Sequence, residues 1–471
     1  MKNRSDCKDK PLNIYEMHLS SWRKKENGQE YSYRELAKPL IQYMKKTGFN
    51  YVEFMPLCEY PCDASWGYQN TGFFSATSRY GTPTDLMYLI DKLHQNHIGV
   101  ILDFVPVHFA VDEYALAKYN GKALYEYPHN DVGVSEWGSY NFMHSRGEVR
   151  SFLQSSANFW LSVFHFDGLR MDAISRIIYW QGDSCRGVNG NAIDFIKVMN
   201  KGLKERNKGC ILIAEDSTDF KDVTKSVDSG GLGFDYKWDM GWMHDTLDYF
   251  QSLPWERVEK YHKLTFSMMY FYNENYLLPF SHDEVVHGKA TILQKMNGQY
   301  EEKFPQARAM YLYMMMHPGK KLNFMGNEIG QLREWDEKRE QDWDILKYPL
   351  HDSFYRFVSE LNHLYLEHSG LYENDYLNEG FTWEDCHQEQ ERIYAISRKS
   401  KSEELLAVFN FDSVNKKYFL PLKNIKSAET LINTDWERYS GKSPENDNFI
   451  KTNEGIEFEL ARFSGVMLKL L

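Results

Sequence analysis

Three carboxylate residues, Asp172, Glu215 and Asp283, follow short apolar segments that are far apart in the chain. Glu215 comes after the wholly apolar residues 211–214. Such surroundings raise the pKa of a carboxyl group and favour its proton-donating form. Asp172 lies two residues after Arg170, whose charge is expected to lower the pKa of Asp172 and keep it anionic. One proton donor and one carboxylate nucleophile are the two groups that glycoside chemistry requires.

The segment 166–172 is predicted to be a buried strand that ends in charged residues. With a period of two, Leu169 and Met171 lie on one face, and Arg170 and Asp172 on the other. If the segments ending at Asp172 and Glu215 are neighbouring parallel strands, their carboxylates would lie about 5–5.5 Å apart, as in retaining glycosidases. The alternative is a structural layer of ion pairs, which explains one such carboxylate better than three.

Two further clusters combine a histidine with a carboxylate. Asp103 ends an apolar segment, and Pro106 turns the chain so that His108 can return towards it. The pair could hold the hydroxyls of a sugar, or it could form a structural hydrogen bond. His282 and Asp283 present the same two alternatives. His108 and His282 could also supply two ligands of a catalytic metal, so these residues alone do not exclude one.

Strands and helices are predicted to alternate through most of the chain. Apolar runs typical of strands buried on both faces occur at 13–18, 51–57, 100–106, 166–173, 210–216, 234–238, 276–283 and 322–328. Amphipathic helices are predicted at 33–46, 84–96, 148–165, 192–206, 219–227, 243–251, 305–317 and 353–368. Residues 32–35 and 145–148 fit capping boxes. This alternation predicts a (β/α)8 barrel, in which chemistry sits at the carboxyl ends of the strands.

The pattern changes after residue 370. Short strands separated by polar turns are predicted at 392–397, 405–411, 416–422 and 465–470. We therefore expect a catalytic barrel over residues 1–370 and a small antiparallel β-sandwich domain over 371–471. The loops 58–82 and 107–145 of the barrel are long and rich in aromatic residues, Asn and Gly, which is typical of substrate-binding loops.

Composition restricts the class of protein. The 471 residues are 42% hydrophobic and 26% charged, which is ordinary for a globular protein. The net charge of −12 and the lack of a basic stripe argue against a nucleic-acid partner. No signal-like or membrane-spanning run is recognised. The six cysteines, at 7, 58, 62, 185, 210 and 386, do not form a zinc pattern, and a cytoplasmic location is expected.

Four short stretches resemble the four motifs of the α-amylase superfamily, in the same order and on the corresponding strands. They are Asp-Phe-Val-Pro-Val-His at 103–108, Gly-Leu-Arg-Met-Asp at 168–172, Ala-Glu-Asp-Ser at 214–217 and Ser-His-Asp at 281–283. Longer stretches resemble the bacterial-type glycogen branching enzymes of that superfamily. They are residues 14–22, 65–72, 264–268 and, as the most specific, Pro-Phe-Ser-His-Asp-Glu-Val-Val-His-Gly-Lys at 279–289.

The resemblance implies a role for each of these residues. Asp172 would be the nucleophile that forms a covalent glucosyl-enzyme, held anionic by Arg170. Glu215 would be the general acid and then the general base. Asp283 would orient the hydroxyls of the sugar and stabilise the oxocarbenium-like transition state. The subsite of the reacting glucose would be lined by Tyr68, as a platform, and by Asp103, His108 and His282. No role follows for Glu284, His287 or Lys289.

The resemblance also implies a reaction. It is a retaining transglycosylation, without a cofactor, in which a monomer cuts an α-1,4-glucan and transfers the fragment to a 6-hydroxyl of an acceptor glucan. One alternative is a hydrolase of the same superfamily, in which water is the acceptor. The other is a catalytically silent glucan-binding protein, which would be expected to lack one of the three carboxylates.

The chain departs from the family pattern at three places. A β-sandwich module usually precedes the barrel, whereas here the first predicted strand begins at residue 13. Calcium-binding members have Asn before the histidine of the first motif. Val107 occupies that position, so no such calcium site is expected. Residues 334–336 are Glu-Trp-Asp where the family often has Glu-Trp-Asn, and no function is attached to this change.

Overall fold

Eight parallel strands form a closed barrel in the computed structural model, which describes residues 8–423, 425–446 and 449–471. The strands are β1 (Asn13–Met17), β2 (Tyr51–Phe54), β3 (Gly99–Phe104), β4 (Gly168–Met171), β5 (Ile211–Ala214), β6 (Tyr236–Trp238), β7 (Tyr276–Phe280) and β8 (Lys320–Phe324). Each strand pairs with the next in the chain, and β8 pairs with β1. The predicted barrel is confirmed, and each of the eight predicted segments overlaps a strand.

Seven long helices lie in the described part of the chain. They are α1 (Tyr33–Thr47), α2 (Pro83–Gln95), α3 (Gly147–Ser162), α4 (Gly190–Arg206), α5 (Met240–Gln251), α6 (Tyr300–Met316) and α7 (Pro349–Glu367). The predicted capping box of α1 is confirmed, with Ser32 and Glu35 bonded reciprocally. The one predicted before α3 is wrong, because α3 begins after Arg146 and has no side-chain cap. None of the described helices combines the length and apolar character that crossing a membrane would require.

The predicted helix at 219–227 is wrong, and the segment after β5 is an irregular connection with one turn of 3₁₀ helix at Val227–Ser229. The carboxylate of Glu274, which precedes β7, accepts hydrogen bonds from the backbone N–H groups of Val223 (2.8 Å) and Thr224 (2.7 Å). These bonds engage backbone donors that an α-helix would direct to its own carbonyl groups. As a result, the described connection places no α-helix between β5 and β6.

The interior of the barrel has an apolar layer below a charged one. The apolar layer is formed by Leu12, Ile14, Ile101, Ile211, Ile213, Tyr236, Trp238, Leu277 and Leu322. A Cβ atom on Gly168 would lie 2.6 Å from the carbonyl oxygen of Ile211, so only glycine fits there. Above the apolar layer, the strand register places Glu16 beside Glu53 and Asp103 beside Arg170. All four charged side chains are buried.

Two antiparallel sheets follow the barrel. The strands are β9 (Phe381–Gln388), β10 (Ile393–Lys399), β11 (Glu404–Asn410), β12 (Lys416–Pro421), β13 (Ala428–Asn433), β14 (Phe449–Lys451), β15 (Gly455–Leu460) and β16 (Ser464–Leu470). The strand order is β9-β10-β11-β16-β13 in the first sheet and β12-β15-β14 in the second. Side chains of both sheets share one apolar cluster, as expected for a sandwich. A buried carboxylate, Asp375, bonds Lys320 of β8 (2.9 Å) and Arg398 of β10 (2.7 Å), which ties the barrel to the sheets.

Candidate active site

A buried guanidinium group lies at the centre of the carboxyl ends of the strands. Arg170 is 1% exposed, and its Nη1 donates to both oxygens of Asp103 (2.8 and 2.7 Å) and to Oδ1 of Asp172 (2.8 Å). Its Nη2 is 3.9 Å from Oε2 of Glu215. The guanidinium carbon lies 4.4 Å from the centre of the Trp238 ring. One cation therefore holds three carboxylates together and offsets part of the cost of their burial.

Asp172 and Glu215 are positioned by the ends of β4 and β5. The backbone N–H of Asp172 donates to the carbonyl of Phe104, and that of Ile174 donates to the carbonyl of Glu215. Oε2 of Glu215 accepts a hydrogen bond from the N–H of Ala173 at 2.7 Å. The two carboxylate side chains keep 15% and 16% of their surface exposed. Both groups are therefore held rigidly and remain open to a ligand.

Burial controls the protonation of this pair. It raises the pKa of Asp172 to about 7 and that of Glu215 to about 7, although Arg170 lowers both. The raised pKa of Glu215 agrees with the sequence prediction. The prediction that Arg170 keeps the pKa of Asp172 low is wrong, because desolvation outweighs the attraction of the cation. Arg170 is nearer to Asp172 than to Glu215. When the two carboxyl groups together carry one proton, the negative charge therefore lies on Asp172 and the proton on Glu215.

For the α-glucan substrate that the sequence resemblance implies, the rate of turnover is expected to have a bell-shaped dependence on pH, with a maximum near pH 7. At lower pH, Asp172 becomes protonated and can no longer attack; at higher pH, Glu215 loses the proton that it must donate. Amylose has no ionisable group. The acidic and alkaline limbs of the pH profile of kcat/KM would therefore both report the coupled titration of Asp172 and Glu215. A maximum at about pH 4, where exposed carboxyl groups titrate, would contradict this assignment.

A second cluster places Asp283 beside the first. His282 Nδ1 lies 2.5 Å from Oε1 of Glu16, and its backbone N–H donates to Oε2 at 2.9 Å. His282 Nε2 is 3.4 Å from Oδ1 of Asp283. Burial alone would lower the pKa of His282, but Asp283 and Glu16 raise it to about 9. The imidazole is therefore a cation at neutral pH that orients Asp283, whose side chain is 42% exposed.

The remaining predicted site residues, Tyr68 and His108, differ in whether they contact the other site residues. Tyr68 donates to Oδ2 of Asp103 at 2.5 Å, and its ring stacks on that of His282 with centroids 5.7 Å apart. His108 is buried and its ring lies 5.3 Å from that of Trp137. Its Nδ1 has no hydrogen-bond partner among the described residues. Asp103 bonds Arg170 and Tyr68 instead, so the structure does not pair it with His108.

Contacts therefore join seven of the eight predicted site residues: Tyr68, Asp103, Arg170, Asp172, Glu215, His282 and Asp283. Sequence reasoning missed Glu16 and Trp238. Glu16 could have been found as a single charge in the apolar strand β1. Within residues 8–423, 425–446 and 449–471, no three His, Cys, Asp or Glu side chains are grouped as metal ligands.

The loop that follows Asp283 is fixed by two charged side chains from other segments. Glu334 accepts hydrogen bonds from the backbone N–H groups of Gly288 (3.0 Å) and Ala290 (2.7 Å). The ammonium group of Lys295 donates to the carbonyl oxygens of Glu284, Lys289 and Ala290. These bonds close the loop immediately behind Asp283 and limit the positions that its carboxylate can adopt.

Backbone strain in the same loop indicates that it needs this support. His287 (φ 58°) and Ala290 (φ 66°) both adopt the left-handed region, which costs about 1–3 kcal/mol for each such residue. The His287 ring also stacks on Trp66, with centroids 5.4 Å apart. Glu334, Lys295 and Trp66 thus act on Asp283 through its loop, and we regard them as positioning residues.

Replacing Glu334 with glutamine is expected to lower kcat on the α-glucan substrate that the resemblance implies by about 10- to 100-fold, because a small displacement of a reacting group is costly. A glutamine side chain has only one carbonyl oxygen, so it cannot accept from both N–H groups as the two oxygens of the Glu334 carboxylate do. KM should change less than kcat, since Asp283 acts mainly in the transition state. Glu340→Gln is the matched control, because Glu340 bonds the backbone of Lys24 rather than this loop. Equal kinetics in both variants would contradict the positioning role.

Two family models match the chain. The model described as "Alpha amylase, catalytic domain" matches residues 38–130, and the model described as "Alpha amylase, C-terminal all-beta domain" matches residues 383–470. These matches fall within the barrel and the sheets that follow it.

Curated relatives align with nearly the whole chain. A 1,4-alpha-glucan branching enzyme of Halothermothrix orenii is 45% identical over 459 residues, covering 95% of this chain and 73% of the relative. That of Geobacillus stearothermophilus is 44% identical, covering 96% and 72%. That of Fusobacterium nucleatum subsp. nucleatum is 43% identical, covering 100% and 78%. The chain thus spans about three quarters of the length of these relatives.

Solved structures share the fold at low sequence identity. The alpha-amylase of Geobacillus thermoleovorans, complexed with acarbose, superimposes with a TM-score of 0.74 at 16% identity and covers 99% of each chain. A debranching enzyme of Nostoc punctiforme also has a TM-score of 0.74, at 14% identity, covering 99% of this chain and 100% of its own. At such identity the likeness extends to the architecture alone.

Proposed function

This chain belongs to the 1,4-alpha-glucan branching enzymes of the alpha-amylase family, and we propose that it cuts α-1,4-glucan and transfers the fragment to a 6-hydroxyl, forming α-1,6 branches. The observation that carries the mechanism is the convergence of Asp172 and Glu215 on the single guanidinium of Arg170. An α-glucan such as glycogen or amylose serves both as the donor and as the acceptor.

In the first step, the carboxylate of Asp172 attacks the anomeric carbon of the donor. The bond from this carbon to the glycosidic oxygen breaks, and a bond to an oxygen of Asp172 forms. Glu215 gives its proton to the departing 4-hydroxyl. The exposed carboxylate of Asp283 stabilises the positive charge that develops on the sugar and accepts hydrogen bonds from its hydroxyls. Tyr68 provides the platform for this glucose, whose subsite Asp103, His108 and His282 help to line.

In the second step, the 6-hydroxyl of an acceptor glucose displaces Asp172. Glu215, now ionised, removes the proton of this hydroxyl, and the new bond forms at the anomeric carbon. Arg170 donates a hydrogen bond to Asp172 and favours the return of its negative charge. Two successive inversions at one carbon give net retention, so the transferred chain keeps its α configuration.

Product analysis on amylose tests this function directly. A branching enzyme should form α-1,6 linkages, counted from their anomeric proton signals, without an equivalent rise in reducing ends. A hydrolase would produce reducing ends without α-1,6 linkages, and a silent binding protein would produce neither. Either of these outcomes would refute the proposed transfer.

Several further properties belong to the proposal. We place the boundary between the catalytic barrel and the C-terminal domain at residues 370 and 371, supported by the end of α7 at Glu367 and the start of β9 at Phe381. We propose a cytoplasmic monomer that needs no cofactor. The free thiols of the five described cysteines support a reducing location. The net charge of −12 disfavours a nucleic-acid partner.

A further inference from the structure

Two glutamate side chains lie next to each other in the charged layer inside the barrel. Glu16 of β1 is paired in register with Glu53 of β2, and both residues are fully buried. Two negative charges at adjacent positions in a site of low dielectric would repel each other strongly. The two groups are therefore expected to differ in charge, and their hydrogen-bond partners indicate which of them is the anion.

Glu16 has a donor for each of its oxygens. Oε1 lies 2.5 Å from Nδ1 of the His282 ring, and Oε2 accepts from the backbone N–H of the same residue at 2.9 Å. Two hydrogen bonds to a carboxylate stabilise its ionised form. They also fix the ring of His282 relative to its own backbone. Glu16 therefore supplies a charge beside His282 and sets the orientation of the ring.

Both ring nitrogens of His282 act as donors in this arrangement. The hydroxyl of Tyr68 gives its proton to Oδ2 of Asp103, so towards Nε2 of His282, 3.3 Å away, its oxygen can only accept. Nε2 also lies 3.4 Å from Oδ1 of Asp283. Because Nδ1 faces the carboxylate of Glu16, the hydrogen bonds by themselves indicate an imidazolium ion. This cation lies between Glu16 in the barrel and Asp283 in the cleft.

Glu53 lacks a donor among the residues that the structure describes, since neither of its oxygens makes a hydrogen bond to them. A buried charge without a partner is far more costly than a buried neutral group. Burial raises the pKa of Glu53 well above its usual range, and the charges of Glu16 and Asp103 raise it further. Arg170 and His282 act in the opposite direction but do not offset this rise. Glu53 is therefore a neutral carboxylic acid at neutral pH.

We propose that Glu16 is a positioning residue of the glycosyl transfer, which holds His282 as a cation and, through it, fixes the carboxylate of Asp283. Glu53 stays neutral and leaves Glu16 as the single anion of the pair. Asp283 must meet the hydroxyls of the sugar and the positive charge that develops on it, and a neutral or rotated His282 would leave this carboxylate unoriented. The inference rests on the proposed function only for this transition state, which transfer and hydrolysis share.

Fluoride release from an α-malto-oligosaccharyl fluoride tests this role, because its kcat/KM reports the first step whichever acceptor follows. Glu16→Gln should lower kcat/KM about 10- to 100-fold, since a small displacement of a reacting group is costly. A glutamine offers one acceptor oxygen to the two donors of His282 and no charge to stabilise the cation. The matched control is Glu53→Gln on the adjacent strand, which exchanges one neutral group for another and should leave kcat/KM unchanged.

A double-mutant cycle separates positioning through His282 from a general effect on the barrel. In the background of His282→Asn, which removes the cation, Glu16→Gln should lower kcat/KM no further. Losses that multiply in the double variant would mean that Glu16 does not act through His282. Either that result, or equal losses in Glu16→Gln and Glu53→Gln, would overturn the proposal.

The charge of His282 gives a second readout that needs no turnover. In protein labelled with nitrogen-15 in its histidines, both ring nitrogens of His282 should have the chemical shifts of protonated nitrogens at neutral pH, assigned from their absence in His282→Asn. Glu16→Gln should move these shifts towards those of a neutral ring, and Glu53→Gln should not. A neutral His282 in the wild-type enzyme would overturn the proposal even if Glu16→Gln does not fold. Fluoride release that depends on Glu16 in an enzyme that forms no α-1,6 linkages would refute the proposed function but not this role of Glu16.

Discussion

Replacement of Asp172 with alanine should reduce the rate of amylose branching by about 10⁴- to 10⁶-fold, the loss expected when a covalent nucleophile is removed. The variant can form no glucosyl-enzyme, because alanine supplies no carboxylate to attack the anomeric carbon. Arg170 keeps both hydrogen bonds to Asp103, so its charge remains compensated and the fold should be retained. The rate is measured as α-1,6 linkages formed per enzyme, and folding by the thermal transition.

The control for this variant is Asp91→Ala, which removes a carboxylate from the exposed face of α2 and should leave branching unchanged. If Asp172→Ala keeps more than about 1% of the wild-type rate, Asp172 is not the nucleophile. Unchanged behaviour of Asp172→Ala towards amylose would instead favour a glucan-binding role without catalysis.

Replacement of Glu215 with glutamine should lower turnover of amylose by about 10²- to 10⁴-fold, because the amide cannot donate a proton to the departing hydroxyl. The glutamine oxygen can still accept from the N–H of Ala173, so the side chain should remain in place. An α-malto-oligosaccharyl fluoride removes the need for this proton, because fluoride leaves without protonation. The first step with this donor should therefore be much less impaired.

Burst kinetics of fluoride release measure this difference between the two donors. The variant should release fluoride rapidly in a first turnover and then slowly, because the second step still needs Glu215 as a base. Equal losses with amylose and with the fluoride donor would show that Glu215 binds or positions the substrate rather than transferring a proton.

The barrel could be predicted from sequence because its strands are short and its helices amphipathic. Seven of the eight barrel strands end earlier than predicted, as in the segment 276–283, where β7 stops at Phe280. The residues that follow lie in a turn of 3₁₀ helix, His282–Val285. This turn, rather than the strand, directs Asp283 towards the cleft.

The helix predicted at 219–227 could not be rejected from local sequence. Its amphipathic pattern is real, but Glu274, about 50 residues further along the chain, takes up two of its backbone N–H groups. A tertiary contact of this kind overrides helix propensity.

The electrostatics of the site were only partly predictable. The spacing of Arg170 and Asp172 predicts their ion pair, which the structure confirms at 2.8 Å. It does not reveal how much water the folded chain excludes, and this desolvation raises the pKa of Asp172 to about 7. The supporting contacts of Glu16 and Glu334 are equally invisible, because they join segments 266 and 46 residues apart.

The most direct test of the double displacement is to locate the covalent intermediate. Glu215→Gln would be incubated with an α-malto-oligosaccharyl fluoride, digested with pepsin at low pH and analysed by tandem mass spectrometry. A malto-oligosaccharide attached to Asp172, and absent from Asp172→Ala/Glu215→Gln, is the expected result. A label on another residue, or fluoride release with an inverted product and no adduct, would contradict the mechanism.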